Sequence, residues 1–383
     1  MKGITVLSLF DGISCGMVAL ERAGIKVEKY IAFEIEHNAI EISKKNYPSI
    51  IHEGDVTKTD FTKYKGVDLI IGGSPCQNLS CAGNGEGLEG VASRLFYDFV
   101  RAIYEAEPKW FMLENNATMS KENQDIITEI MGVEPVYINS ERVSAQQRKR
   151  LYWTNIPGIE QPEDRKLYLR DIVQPREEKQ KYEIYKRMLA KKEGTLAHRK
   201  CWSQVKTLDE KSRALTTSQA ISNSGATNVK YSETEYYTLT PLECERLQTL
   251  PDNYTEGFSD TQRYKTIGNG WTVEVIRHIF DYLKKAIEED IKPIELKERV
   301  RPKQSYRTIE ENSEDKAMEK ETNAVNTNAV NTNEVNTNVV NTEEVNKLKC
   351  EIKEKDKIIE ELRREIGEIK VKMFDYLFKE KAV

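Results

Sequence analysis

VDLIIGGSPCQNLSC, residues Val67 to Cys81, decides the reading of this 383-residue chain. Five of its first six residues are apolar or glycine, and Ile70 and Ile71 are β-branched, which predicts a buried strand. Gly72, Gly73 and Pro75 then end the strand and force a turn, with Cys76 on it. In open α/β sheets, ligands gather just beyond the carboxyl ends of the strands. A lone free cysteine is ordinarily a small buried hydrophobe. Here Pro75 precedes the thiol and polar Gln77, Asn78 and Ser80 follow it, and these are poor core neighbours. Read as a nucleophile, Cys76 needs cationic or hydrogen-bonding partners from elsewhere in the chain to hold a thiolate.

Working outward, strands and helices alternate on both sides of this stretch. Upstream, GITVLSLF (residues 3–10) predicts a first strand, and an amphipathic helix through Met17, Val18, Leu20 and Ala23 follows the turn DGISCG. A strand, a glycine turn and a helix start form a cradle for a nucleotide-like ligand. The second strand, KYIAFE, ends on Glu34, 18 residues beyond Gly16, about where a βαβ nucleotide site places an acid for ribose hydroxyls. A further acid, Asp55 in HEGDV, ends a short extended run. Downstream, RLFYDFVRAIYEA (94–106) has helical spacing, and WFMLEN (110–115) is a strand carrying Glu114 near its end. PVYINSERVSAQQRKRLYWTNI (135–156) reads as two more strands around a basic turn. The expected fold is α/β, a mainly parallel, doubly wound Rossmann-like sheet with helices on both faces. Glu114 is either a helix-capping acid or, sharing the sheet edge with Cys76, a proton donor if burial raises its pKa.

The rhythm is lost over residues 151–235. Between Arg148 and Lys230 there are 19 Lys and Arg against 10 Asp and Glu, inside a chain of net charge -5. A solvated face can have this composition, but it is also the electrostatic footprint of a polyanion site. Tyr152, Trp153, Tyr168, Tyr182, Tyr185 and Trp202 interleave with the cations, which suits phosphate contacts and stacking. RALTTSQAISNSGATNVKY (213–231) reads as a loop near the ligand. Periodicity returns with PLECERLQTLP, a helix with Thr240 as N-cap and Pro241 in its first turn. The helix VEVIRHIFDYLKKAI follows Gly268-Asn269-Gly270 and is expected to pack back on the sheet.

The six cysteines, at 15, 76, 81, 201, 244 and 350, form no C-x-x-C pair, which argues for reduced thiols and against a zinc cluster. No segment approaches the roughly 20 apolar residues of a membrane span, and a cytoplasmic protein is expected. Residues 303–344 form a linker containing the near-repeat NAVNT, NAVNT, NEVNT, NVVNT, with too few large apolar groups to need folding. Over residues 345–380, Val345, Leu348, Ile352, Ile359, Leu362, Ile366, Ile369 and Met373 recur at alternating three and four, with Lys355 in the one off-pattern slot. That pattern predicts a coiled coil and self-association through it.

The order FDGISCG, acid, GDV, GGSPCQ, LEN, QQRKR, RALT, ERLQTLP, IGNG resembles the DNA (cytosine-5)-methyltransferases over roughly residues 1–290. FDGIS, RLFYDF, VSAQQR and WTVEVIRHIF look closest to the de novo animal-type branch, in a bacterial or phage setting. The resemblance implies a catalytic domain over 1–150 and 236–290, with 151–235 as target-recognition region. It implies methyl transfer from S-adenosylmethionine to carbon 5 of cytosine in double-stranded DNA, on a base flipped out of the helix, without a metal. By resemblance, Cys76 attacks carbon 6, Glu114 donates to ring nitrogen 3, and Arg148 and Arg150 hold the base, Arg150 at the exocyclic oxygen. Phe10, Asp11, Gly12, Ser14 and Gly16 would receive the cofactor, with Glu34 on its ribose, Asp55 on the adenine amine and Asn269 near its methionine part. Pro75 would shape the thiol turn, and the four-glycine stretch 78–93 would close over the flipped base. Ser14, Cys15, Asn116, Gly270 and Trp271 depart from the family's usual residues, and none of these changes removes a catalytic group.

Three other functions fit parts of the chain. A related branch methylates transfer RNA with the same cysteine chemistry, but its Cys-Phe-Thr signature does not occur here. An inactive scaffold homologue usually loses the Pro-Cys or the Glu, whereas Pro75, Cys76 and Glu114 all stand. A nicotinamide oxidoreductase on the same sheet leaves PCQ, LEN and QQRKR unexplained. Restriction–modification, phage self-protection and an orphan regulatory role all fit the methyltransferase reading.

Overall fold

A computed structural model describes residues 3–74, 91–191, 193, 195–219 and 226–296. Pro75, Cys76, most of the glycine-rich stretch 78–93, the linker 303–344 and the coiled coil 345–380 lie outside the described residues. The sheet strands are β1 (Ile4–Leu9), β2 (Val27–Phe33), β3 (Ile51–His52), β4 (Leu69–Gly73), β5 (Trp110–Asn116), β6 (Val136–Asn139) and β7 (Lys149–Thr154). They lie in the order β3-β2-β1-β4-β5-β7-β6. The first five pair in parallel, and β7 runs antiparallel between β5 and β6. The strand order therefore reverses between β1 and β4, the place where such sheets open a ligand crevice.

Alternation along the strands sorts the core onto two faces. Val6, Ala32, Ile71 and Met112 join one apolar cluster, and Leu7, Phe33, Ile70 and Leu113 join the other. The helices are α1 (Cys15–Arg22), α2 (His37–Asn46), α3 (Val91–Ala106), α4 (Lys121–Met131), α5 (Tyr185–Leu189), α6 (Leu196–Ser203), α7 (Pro241–Leu247), α8 (Asp260–Asn269) and α9 (Val273–Glu288). α1 and α9 cover the first face. Val275, Ile276, Ile279, Phe280 and Leu283 of α9 are fully buried there, each worth roughly 1.5–3 kcal/mol of transfer free energy. α3 and α4 cover the second through Phe96, Phe99, Ile103, Ile127 and Met131. The expected mainly parallel sheet with helices on both faces is present. At α7 the Thr240 hydroxyl accepts from the Glu243 amide at 3.1 Å while Glu243 accepts from the Thr240 amide at 2.9 Å, and Pro241 stands in the first turn.

The stretch 151–235, expected to be the target-recognition region, departs from its expected character. It carries a second sheet of β8 (Val205–Thr207), β9 (Asn228–Lys230) and β10 (Tyr236–Thr238), in the order β10-β9-β8. β9 falls inside the stretch expected to be a loop, and β10 lies past the expected boundary at 235, because Val229, Tyr236 and Tyr237 have a core of their own to enter. Tyr152 and Trp153, expected to stack on bases, are side chains of β7 with 2% and 0% exposure. Tyr185 stacks on Tyr236 at 5.5 Å between ring centroids, and Trp202 meets the same ring edge-on. Lys179, counted among the basic residues, is fully buried against Glu243 and lies 5.5 Å from the ring centres of Tyr231 and Tyr237.

Candidate active site

Glu114 stands near the end of β5, in register with Gly73 of β4 and Tyr152 of β7. It is only 8% exposed, and a buried carboxylate requires donors. Arg150 supplies one, its Nε lying 2.6 Å from Oε1. The Trp271 indole supplies another, donating from Nε1 to Oε2 at 3.1 Å. Arg150 reaches Glu114 diagonally across the β5–β7 pair, a distance long side chains span. A Cβ on Gly73 would stand 2.8 Å from both Glu114 Oε2 and Trp271 Nε1, so only glycine leaves room for this contact. Next along the chain, Asn115 donates through Nδ2 to the Ser74 hydroxyl at 3.2 Å, fixing the last described residue before Pro75.

Arg148, two residues before Arg150, is placed differently. Its side chain is buried, with Nη1 donating to the Leu215 carbonyl at 3.0 Å and Nη2 to the carbonyls of Gly268 and Gly270 at 3.2 and 3.1 Å. It thus ties the start of β7 to the chain at Leu215 and to the turn around Asn269, which itself is exposed at the end of α8.

The turn between β1 and α1 holds three residues in left-handed backbone: Phe10 at φ 57°, Gly12 at φ 60° and Ser14 at φ 59°. Such strain in ordinary residues marks ligand turns. A Cβ on Gly12 would meet nothing within 4 Å, so the turn faces open space. Glu34 braces it, with Oε2 accepting from the Gly12 amide at 2.9 Å and Oε1 from the amides of Ile35 and Glu36 at 2.8 Å. Asp11 points inward instead, accepting from the Tyr30 hydroxyl at 2.7 Å and from Ser14 Oγ. Burial pushes its carboxyl up to about 6, against the hydrogen bonds from Ser14, Ser8 and Tyr30, and the Glu34 charge pushes it the same way. Asp55 caps the turn after β3; burial raises its pKa, hydrogen bonds from Thr57 together with the Lys58 charge lower it, and the net shift is downward. The structure therefore gathers Phe10, Gly12, Ser14, Gly16 and Glu34 around one turn after β1, and Glu114 with Arg150 at the end of β5, on the far side of β4. Pro75 and Cys76 lie outside the described residues.

The remaining described cysteines are poor nucleophiles. Cys15, Cys201 and Cys244 are buried, and burial raises all three thiols, Cys15 to about 12. Trp271, Asn115 and Tyr30 are site residues that sequence reading did not assign. Only the unusual tryptophan after Gly-Asn-Gly offered a signal for one of them. Among the described residues, no group of three or more His, Cys, Asp or Glu is placed to hold a metal ion, and no helix is long and apolar enough to cross a membrane.

The architecture is that of an α/β methyltransferase. The methyltransferase EhMeth of Entamoeba histolytica superposes with a TM-score of 0.63 at 18% identity, covering 75% of this chain and 99% of that one. Residues 4–285 match the model of the C-5 cytosine-specific DNA methylases, and the chain belongs to that family. The type II methyltransferase M.Eco47II of Escherichia coli is 42% identical over 113 residues, 29% of this chain and 27% of that protein. M1.ScrFI of Lactococcus lactis subsp. cremoris is 26% identical over 315 residues, 75% of this chain and 79% of its own length.

Proposed function

We propose that this chain methylates carbon 5 of cytosine in double-stranded DNA, using S-adenosylmethionine and a covalent link from Cys76 to carbon 6 of a flipped-out base. The observation that carries the reading is Glu114, a buried carboxyl held between Arg150 and Trp271 at the end of β5, opposite Gly73. Cys76 follows Gly73 by three residues, a length of chain that reaches at most about 10 Å.

A neutral pyrimidine ring is a poor electrophile, so thiolate attack needs simultaneous acid help. Glu114 donates to ring nitrogen 3 as the Cys76 sulfur bonds to carbon 6, so the electron pair moves to carbon 5. Arg150 holds Glu114 and screens charge at the exocyclic oxygen. When bound, S-adenosylmethionine supplies an electrophilic methyl group to carbon 5. Loss of the carbon-5 proton then expels the thiolate and restores the ring. Phe10, Gly12, Gly16, Glu34, Asp55 and Asn269 would hold the cofactor, and the open turn at Gly12 with its braced acid fits a nucleoside. Asp11 and Ser14 act by shaping that turn, Arg148 by fixing the carbonyls beside Asn269, and Pro75 by shaping the thiol turn. The exposed basic residues of 151–235 provide phosphate contacts to duplex DNA. Residues 345–380 are read as self-associating through a coiled coil, so removing the residues beyond about 310 lowers the number of subunits in solution without abolishing methyl transfer; an unchanged subunit number refutes self-association.

Bisulfite or long-read sequencing of DNA from cells expressing wild type and Cys76→Ser tests the chemistry. Methylated cytosines in one short context, absent in the variant, are expected. No new methylation in cells with ample cofactor overturns the reading.

A further inference from the structure

We propose that Trp271 is a positioning residue that ties the Glu114 carboxyl to the cofactor turn. The inference rests on the methyl-transfer reading above for its kinetic consequence, but not for its geometry. Trp271 Nε1 donates to Glu114 Oε2 at 3.1 Å, while Arg150 holds Oε1 at 2.6 Å, so the two oxygens have separate donors. The other end of the residue reaches the first turn. The preceding Gly270 packs on Cys15, whose Sγ lies 3.2 Å from where a Cβ on Gly270 would stand, and the Trp271 ring lies 3.5 Å from where a Cβ on Gly16 would stand.

The residue cannot slide, because the chain on both sides is pinned. The Gly270 carbonyl accepts from Arg148 at 3.1 Å and from Gln248 at 3.0 Å. Thr272 donates its hydroxyl to Gln248 at 2.8 Å, and the Val273 amide donates to the Gln248 carbonyl at 2.9 Å. An indole N–H donates and never accepts. It therefore holds the Glu114 carboxyl in one rotamer through Oε2, while Arg150 holds it through Oε1. A shift of the turn around Gly16 is passed to the acid through one rigid ring.

The test has two independent arms. In the first, 1H–15N spectra are recorded on the cofactor-free protein. The indole signal that vanishes in Trp271→Phe is expected to move in Glu114→Gln, where Trp271 itself is intact. A signal that stays in place overturns the contact, whatever the protein's activity. In the second arm, steady-state methyl transfer is measured on Trp271→Phe, which keeps the ring against Gly16 and removes the N–H. The kcat is expected to fall about ten-fold, with KM for DNA and cofactor affinity unchanged within two-fold. Wild-type kcat in that variant overturns the proposal, as does loss of cofactor binding in parallel with rate. An inactive wild type defeats the methyl-transfer reading and leaves the first arm to decide the contact.

Discussion

Arg148→Lys separates the two arginines of QQRKR. In the structure the Arg148 guanidinium makes three hydrogen bonds of 3.0–3.2 Å to the carbonyls of Leu215, Gly268 and Gly270. Hydrogen bonds to a charged group contribute about 1.5–3 kcal/mol each. A lysine carries one nitrogen in place of the fork and keeps about one of the three contacts. With two lost, and part of that loss recovered by relaxation, unfolding free energy falls by about 3 kcal/mol. For a domain of this size that is about 5–10 °C in Tm. Urea unfolding followed by circular dichroism, with the m-value unchanged, measures the loss. Cofactor affinity falls with it, since two of the three carbonyls flank Asn269. Stability within about 0.5 kcal/mol of wild type, together with a collapse in turnover, refutes this reasoning and makes Arg148 a base-holding residue.

Arg150→Lys loses the short contact from Nε to Glu114 and is expected to lower kcat about 100-fold, with little change in stability, as tritiated-methyl transfer and urea unfolding will show. Asp11→Asn reports on the buried acid. Its folded pKa of about 6 lies above the ordinary 3.8, so Asp11 favours the fold fully below about pH 4 and loses that contribution as pH rises through 6. Wild-type stability relative to Asp11→Asn therefore falls by about 3 kcal/mol between pH 4 and 7, and a pH series of unfolding curves without that slope rejects the assignment. Lys179→Met leaves the Glu243 carboxylate buried without its cation and costs about 3–5 kcal/mol; Lys179→Met combined with Glu243→Gln recovers part of it in a double-mutant cycle.

Much of the catalytic sheet was legible because its strands alternate between two buried faces, as Val6 and Leu7 or Ile70 and Ile71 do. The acids at strand ends were legible for the same reason, since a strand's end follows from its turn residues. Glu34 and Glu114 stand where that logic places them. Side-chain fate over residues 151–235 was not. Tyr152, Trp153 and Lys179 have the composition of a nucleic-acid surface, yet their burial depends on strands and helices arriving from elsewhere. Trp271 meets Glu114 across 157 positions of sequence, and no local pattern encodes such a contact.

The arginine pair shows where the boundary falls. Arg150 is the second residue of β7 and reaches Glu114 on the adjoining strand, whereas Arg148 stands one residue before β7 begins. A spacing of two in the sequence carries no more than that. What separates them is the identity of the groups each one meets. Arg150 meets a carboxylate presented by the adjoining strand, one short ion pair from the proposed chemistry. Arg148 meets carbonyls from residues 67, 120 and 122 positions further on. These include two glycine carbonyls flanking Asn269 in the α8–α9 turn. A guanidinium is suited to both tasks, because its fork matches a carboxylate and can equally gather several carbonyls. The two arginines are therefore alike in sequence, and they are divided by the edge of β7 and by tertiary contacts. One holds the acid proposed to meet the base, and the other holds the turn on which Trp271 reaches that acid.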